Sequence, residues 1–181
     1  MSSSRTVTLT GWGRIAPSTA QLATPVSDAE AAGLLRQAAK DRAAAIPRGL
    51  GRSYNNAAQS GGGLVLSTAR LTRIIELDKT TGVVVCEAGV SLEQLMVAGL
   101  PAGWFVPVSP GTRQVTIGGA IAADVHGKNH HKAGSFAQHV TSFDLVLPGG
   151  EPSCVIRPSC AGVLRSRREV GVSPVSAPAQ R

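Results

Sequence analysis

Apolar and polar positions alternate with two different periods along this chain, and each change of period marks an element. Ser27-Asp28-Ala29-Glu30 is a capping box, and the Ala/Leu-rich segment behind it predicts a helix reaching about residue 42. Residues 43 to 46 then read as a short buried strand. Leu64 to Ser67 and the β-branched runs 73 to 77 and 83 to 87 predict further strands, bounded by Gly61-Gly62-Gly63 and by polar turns. Ser91-Leu92-Glu93-Gln94 is a second capping box, opening a helix through residue 98. Trp104-Phe105-Val106 reads as a strand, and residues 118 to 123 as a short glycine-led helix. Residues 139 to 147 alternate loosely up to the turn Pro148-Gly149-Gly150, which would return the chain as a strand over 153 to 156. Helices and strands interleave along the chain.

The loops between these elements carry the chemistry. Pro47-Arg48-Gly49-Leu50-Gly51-Arg52-Ser53-Tyr54 follows the first predicted strand and combines free-turning glycines with two cations and a hydroxyl. Glycine reaches positive φ cheaply, so successive amides can turn inward around an anion while guanidinium groups add charge-assisted bonds. A diphosphate fits, although the dinucleotide fingerprint would need glycine at Tyr54, and Gly127-Lys128 is followed by Asn129 rather than by the hydroxyl of a P-loop. From the residues alone, a plain glycine-rich turn stays open as the alternative. A second loop, Pro110-Gly111-Thr112-Arg113-Gln114-Val115-Thr116-Ile117-Gly118-Gly119, precedes the turn His126-Gly127-Lys128-Asn129-His130-His131.

In this order and spacing, with Thr10-Gly11-Trp12-Gly13-Arg14 ahead of them, the three motifs resemble the PCMH-type FAD-binding domain of the vanillyl-alcohol-oxidase flavoproteins over about residues 8 to 150. Within that family the similarity is greatest to the branch that oxidises decaprenylphosphoryl-ribose to its 2-keto form in arabinan, hence cell-wall, synthesis. The resemblance implies an α+β fold, a partial FAD-binding domain over 8–156 built of two small α/β subdomains; residues 1–7 and the irregular basic tail 157–181, which lacks periodicity and caps, are expected to be disordered. It implies that Arg48, Gly49, Leu50, Gly51, Arg52, Ser53 and Tyr54 hold the pyrophosphate, Arg52 and Ser53 nearest the charge. Arg52 stands where related sugar and aldonolactone oxidases carry a histidine linked to the flavin, so FAD is expected to be noncovalent. Gly111, Thr112, Thr116, Ile117, Gly118 and Gly119 would lie along the flavin. His126, Gly127 and Asn129 would lie by the isoalloxazine, with Lys128 facing the substrate as the one candidate for the reaction itself. Asp124, Arg113 and Trp12 are assigned structural roles, Asp124 fixing a nearby backbone amide. The implied partners are a polyprenyl-phosphate sugar and a reductase that consumes the keto product.

Composition narrows the remaining classes. The formal charge of +7 invites a nucleic-acid reading, yet aromatics make up only 3% and no basic helix interleaved with stacking residues is visible. Five arginines (157, 165, 167, 168, 181) against Glu151 and Glu169 concentrate positive charge at the end of the chain, where helical and strand periods also fail. The family pattern stops near there, so an amino-terminal portion is expected, its end after residue 151 reading as a shifted frame or a damaged gene end, with an ordinary disordered tail as the alternative. A nonfunctional fragment, another FAD-linked sugar or aldonolactone oxidase, and a basic binding module are the competing readings. His126 and His130 have helical metal-pair spacing, but Gly127 opposes a helix and no glutamate stands between them, so no metal site is expected. Three cysteines without metal-type spacing suit a reducing compartment, with Cys86 as a buried thiol. The start lacks a secretory apolar core and no run approaches membrane-span length, which points to a cytoplasmic protein or one peripheral to the inner membrane.

Overall fold

The computed structural model describes residues 4–156 and, as backbone, 170–171 and 173–174. The chain divides into two compact units, Met1–Thr72 with Asp144–Cys154, and Arg73–Phe143 with Val155–Arg181.

Unit one is a four-stranded sheet with one long helix. Strands β1 (Arg5–Leu9), β2 (Ser18–Ala23), β3 (Ala45–Arg48) and β4 (Leu64–Ser67) lie in the order β1-β2-β4-β3. The β1–β2 pair is antiparallel, whereas β4 runs parallel to both β2 and β3. The inner strands bury Ala20, Ala23, Val65 and Leu66. Helix α1 (Asp28–Lys40) links β2 to β3. Its cap is reciprocal: the Ser27 hydroxyl accepts from the Glu30 amide at 3.2 Å, and the Glu30 carboxylate accepts from the Val26 amide at 2.7 Å.

Two expectations for unit one are corrected. The expected disorder of residues 1–7 fails for 5–7, which belong to β1 with Arg5 opposite Leu22, while 1–3 lie outside the described residues. The strand expected at 43–46 begins at Ala45, and it is an exposed edge rather than a buried strand. Arg42 sits at φ 52° and the Ala43 amide donates back to the Ala38 carbonyl at 2.9 Å, so these two residues close the helix in a left-handed turn instead.

Unit two packs short elements around one apolar cluster. Strands β5 (Ile74–Leu77) and β6 (Val83–Cys86) pair antiparallel, helix α2 (Leu92–Gly99) follows, and β7 (Trp104–Phe105) precedes helices α3 (Ile117–Ala122) and α4 (His130–Ala133). The expected capping box is complete, with Ser91 and Gln94 each bonding the other's backbone. The core comprises Val84, Cys86, Val90, Leu92, Leu95, Val106, Val108, Ile117, Ala120, Phe136 and Val140. Burial, with the Glu87 charge adding to it, pushes the Cys86 thiol up to about 12. Glu87 is buried and accepts from the Arg73 amide, Nε and Nη2 at 2.8, 2.9 and 2.7 Å, which braces the end of β6.

Strands β8 (Ser142–Val146) and β9 (Pro152–Ile156) form the expected hairpin. Gly150 turns it at φ 80°, and its carbonyl accepts from Arg36 Nη1 at 3.3 Å on α1. Of the tail expected to be irregular, Val170–Gly171 pairs with β6 and Ser173–Pro174 with β7. The expectation for the other residues of 157–181 lies outside the described residues.

Candidate cofactor-binding site

In unit one, β3 delivers the chain into the loop 49–54 at its carboxyl end, where α/β folds collect ligands. Arg48 does not reach outward from this loop. Its Nη1 donates to the Ala58 carbonyl at 2.9 Å and its Nη2 to the Thr10 carbonyl at 2.8 Å, so the guanidinium is a clamp inside the fold. Gly51 is at φ 67°, and a Cβ there would lie 2.4 Å from Arg48 Nη2. The amides of Gly49, Leu50, Gly51 and Ser53 donate to none of the described residues. Four amide donors on one half-buried loop suit an anion, since unpaired backbone donors are costly to keep. Arg52 adds the cation, its guanidinium carbon 4.3 Å from the centre of the Trp12 ring.

The segment around Trp12 packs on the far end of this loop. Trp12 donates its amide to Ser53 O at 2.7 Å and Gly13 to Tyr54 O at 3.2 Å. A Cβ at Gly11 or Gly13 would meet the carbonyl oxygens of Asn55 and Tyr54 at 2.1 and 2.5 Å, which is why both positions are glycine. Sequence reasoning noticed this motif without assigning it that contact. Trp12, given a structural role, is in fact exposed and stacked on Arg52.

In unit two, the structure separates residues that hold the second loop from residues that present it. Thr116 is buried and caps α3, its hydroxyl accepting from the Gly119 amide at 3.2 Å. Ile117 lies in the core and donates its amide to Val90 O at 2.8 Å, while Gly118 donates to Ala88 O at 2.8 Å. The Ile117 side chain is packed among Val90, Leu92 and their neighbours, which leaves only the backbone of this residue to a cofactor. Glycine at 118 is favoured by the protein itself, because a Cβ there would come within 3.1 Å of the Ala88 Cβ. A Cβ added at Gly111 would meet nothing within 4 Å among the described residues, and the Thr112 hydroxyl accepts from the Gln114 amide at 3.1 Å. Arg113 pairs with Glu93 at 2.8 Å, as a structural residue should.

The turn carrying His126 and Lys128 is braced on both sides. Gly127 is so close to Ser109 that a Cβ would lie 2.6 Å from its carbonyl, and Asn129 Nδ2 donates to Pro107 O at 3.0 Å. His126 forms a bridge with Ser135, and Asp124, at φ 40°, accepts from the Ala137 amide at 2.9 Å. That amide, with the Ser135 hydroxyl second, holds the Asp124 carboxyl below the usual carboxylate range. His126, Lys128 and Asn129 are exposed. The Ser109 hydroxyl is buried with no partner among the described residues, a further polar atom available to a ligand that no sequence signal had singled out. No group of His, Cys, Asp or Glu among the described residues could hold a metal ion.

Comparison with known proteins identifies the scaffold. The profile of the FAD-binding domain family matches residues 19–153. The chain belongs to that family. FAD is the cofactor of the domain, and a decaprenylphosphoryl-β-D-ribose oxidase from Mycolicibacterium smegmatis is 53% identical over 144 residues, 79% of this chain and 31% of the relative. A D-lactate dehydrogenase from Archaeoglobus fulgidus is 33% identical over 127 residues, 70% of the chain and 28% of that protein. A solved alkyldihydroxyacetonephosphate synthase superposes with a TM-score of 0.69 at 20% identity, covering 86% of the chain and 34% of that structure, which establishes the fold alone. The FAD-binding domain thus spans about a third of the length of the proteins it matches. No helix among its described residues is long and apolar enough to cross a membrane.

Proposed function

We propose that this FAD-binding domain holds FAD noncovalently and serves an oxidoreductase that removes a hydride from C2 of a polyprenyl-phosphate pentose. The observation that carries the reading is the loop 49–54, with four amide donors free of described partners beside Arg52, in a chain 53% identical to an oxidase of decaprenylphosphoryl-ribose. Bound FAD supplies a two-electron acceptor. The chain's own residues supply binding and orientation. The Gly49, Leu50, Gly51 and Ser53 amides, with Arg52, would take the diphosphate, while Arg48 holds the loop open by bonding Thr10 and Ala58. In unit two, Gly111, Gly119 and the His126–Asn129 turn would face the flavin. Lys128, a cation on a braced turn, would hydrogen-bond the sugar and fix which carbon is presented. A reductase acting on the 2-keto product is the partner this chemistry calls for, and association with a membrane surface is where its lipid-linked substrate would be met.

Purified protein should show flavin absorbance, and acid precipitation should leave all of the colour in the supernatant. Anaerobic addition of a polyprenyl-phosphoryl ribose should bleach the flavin, while D-lactate should not. Colour in the precipitate would overturn the noncovalent assignment, and bleaching by D-lactate alone would overturn the substrate.

A further inference from the structure

Unit two carries basic side chains that the cofactor reading leaves unused. From residue 94 to 143 Asp124 is the only carboxylate, set against Arg113, His126, Lys128, His130, His131, Lys132 and His139. Asp124 accepts from the Ala137 amide at 2.9 Å, and Arg113 is paired with Glu93. The remaining bases crowd into 126–132, where the imidazoles form a row. His126 lies edge-on to His130 with ring centres 5.4 Å apart, and His130 edge-on to His131 at 6.0 Å. His130 Nδ1 is 3.1 Å from the Gly127 carbonyl, which can only accept, so this nitrogen carries the hydrogen and the ring is held back on the turn. The His130 amide donates to Gly127 O at 3.1 Å, the Lys132 and Ala133 amides donate to Asn129 O at 2.9 Å, and His139 Nε2 donates to Ala133 O at 2.8 Å. Helix α4 is therefore preset although it is short. His131 and Lys132 are exposed, and their side chains have no hydrogen bond or ion pair among the described residues.

We propose that His131 and Lys132 form the subsite for the phosphate diester of the substrate, one turn of chain beyond Lys128. It rests on the polyprenyl-phosphate pentose reading above and assigns that phosphate to named residues of this chain. The β-ribosyl phosphate in the name of the Mycolicibacterium relative carries its phosphate on the carbon next to C2. A group that presents C2 and a group that binds the phosphate must therefore be close neighbours. Residues three and four apart in a helical turn are such neighbours, with about 5 to 6 Å between their Cβ atoms, and His131 and Lys132 follow Lys128 at those spacings. An imidazole donates an N–H in either charge state, and an ammonium adds further donors with a full charge, so the free oxygens of a diester can be met from both residues. The FAD diphosphate has its own proposed donors on the loop 49–54, which leaves this pair to a second phosphate. Because the ring row and the carbonyl bonds preset α4, little ordering opposes binding.

The full chain loaded with FAD should be titrated calorimetrically with a short prenylphosphoryl ribose, with the same diester carrying methyl in place of the sugar, and with methyl riboside, which lacks the phosphate. The prenylphosphoryl ribose should bind at least about tenfold more tightly than the riboside. Lys132→Gln and His131→Ala should each weaken it roughly fivefold at low salt, while the affinities for methyl riboside and for FAD stay as they were. Lys79→Gln, which removes an exposed cation elsewhere in unit two, should change none of the three. Absence of binding by both phosphate probes, affinity indifferent to Lys132→Gln and His131→Ala, or an equal loss with Lys79→Gln would each overturn the proposal. A parallel loss of riboside or FAD affinity would also overturn it, because α4 would then be acting as structure alone. Tight binding of the prenylphosphoryl ribose that ignores both variants leaves the substrate reading intact. Diester binding that responds to both variants, with no gain from the sugar, keeps the phosphate subsite and removes the pentose.

Discussion

Adding one methyl group at Gly51 tests the geometry of the first loop directly. Gly51→Ala forces an L side chain to φ 67°, which costs about 1 to 2 kcal/mol. The new Cβ would also lie 2.4 Å from Arg48 Nη2 and 3.0 Å from its Cζ, so the guanidinium must leave the Thr10 carbonyl it bonds at 2.8 Å. Hydrogen bonds from a charged donor contribute about 1.5 to 3 kcal/mol, and the lower end applies to this half-buried group because water can replace part of the loss. The expected destabilisation is therefore about 2 to 4 kcal/mol, measured by urea unfolding of the apo chain. Gly51→Asn carries the same clash but less backbone strain, and should be about 1 kcal/mol milder. FAD affinity should fall at least about tenfold in both variants because the amide array is displaced. Arg48→Ala should cost less in the Gly51→Ala background than alone, since there the clamp is already broken. Gly51→Ala within about 0.5 kcal/mol of the parent, together with additive double-variant energies, would refute the coupling between Gly51 and the Arg48 clamp.

Arg52→Ala should weaken FAD binding by about 1.5 to 3 kcal/mol in a calorimetric titration, with little change in unfolding free energy. Asp124→Asn, which keeps an acceptor and tolerates φ 40°, should be near neutral at pH 7, whereas Asp124→Ala should lose about 1 kcal/mol or more of thermal stability. Because the folded Asp124 carboxyl sits below its ordinary range, its contribution is present above the unfolded pKa and is lost as pH falls through the folded value; melting curves across acid pH should show that loss in the parent and not in Asp124→Asn. Cys86, with its thiol pushed up to about 12, should resist iodoacetamide at pH 8 while exposed Cys154 is alkylated, as peptide mass spectrometry would report.

What could be read from the sequence was local. Both capping boxes gave their helices because the cap residues and the amides they satisfy lie within four positions of one another. Strands β4 and β6 were legible because each carries a run of three β-branched or aliphatic residues with a buried centre. Strands β1 and β2 were missed, since RTVTL and STAQLA carry polar side chains at many positions and the pairing partner is needed to recognise them. In the proposed site, the glycine–arginine loop reads as anion-binding in the sequence, but the contacts inside it do not show there. Arg48 looked like a ligand cation and is a clamp, because its partners Thr10 and Ala58 are distant in sequence. Gly118 reads as room for a flavin, and the approach of Ala88 gives glycine there a second reason that the sequence does not show.

The division between amides already engaged and amides left available has a consequence for exchange with deuterated water. Ile117 and Gly118 are tied to Val90 and Ala88, and should exchange slowly whether or not cofactor is present. Gly49, Leu50, Gly51 and Ser53 should exchange within seconds in the apo chain and slow sharply once a diphosphate occupies the loop. The first loop is thus a built-in reporter of occupancy, and the second a reference that stays constant, so a single exchange experiment on one chain would separate binding of the cofactor from a general tightening of the fold.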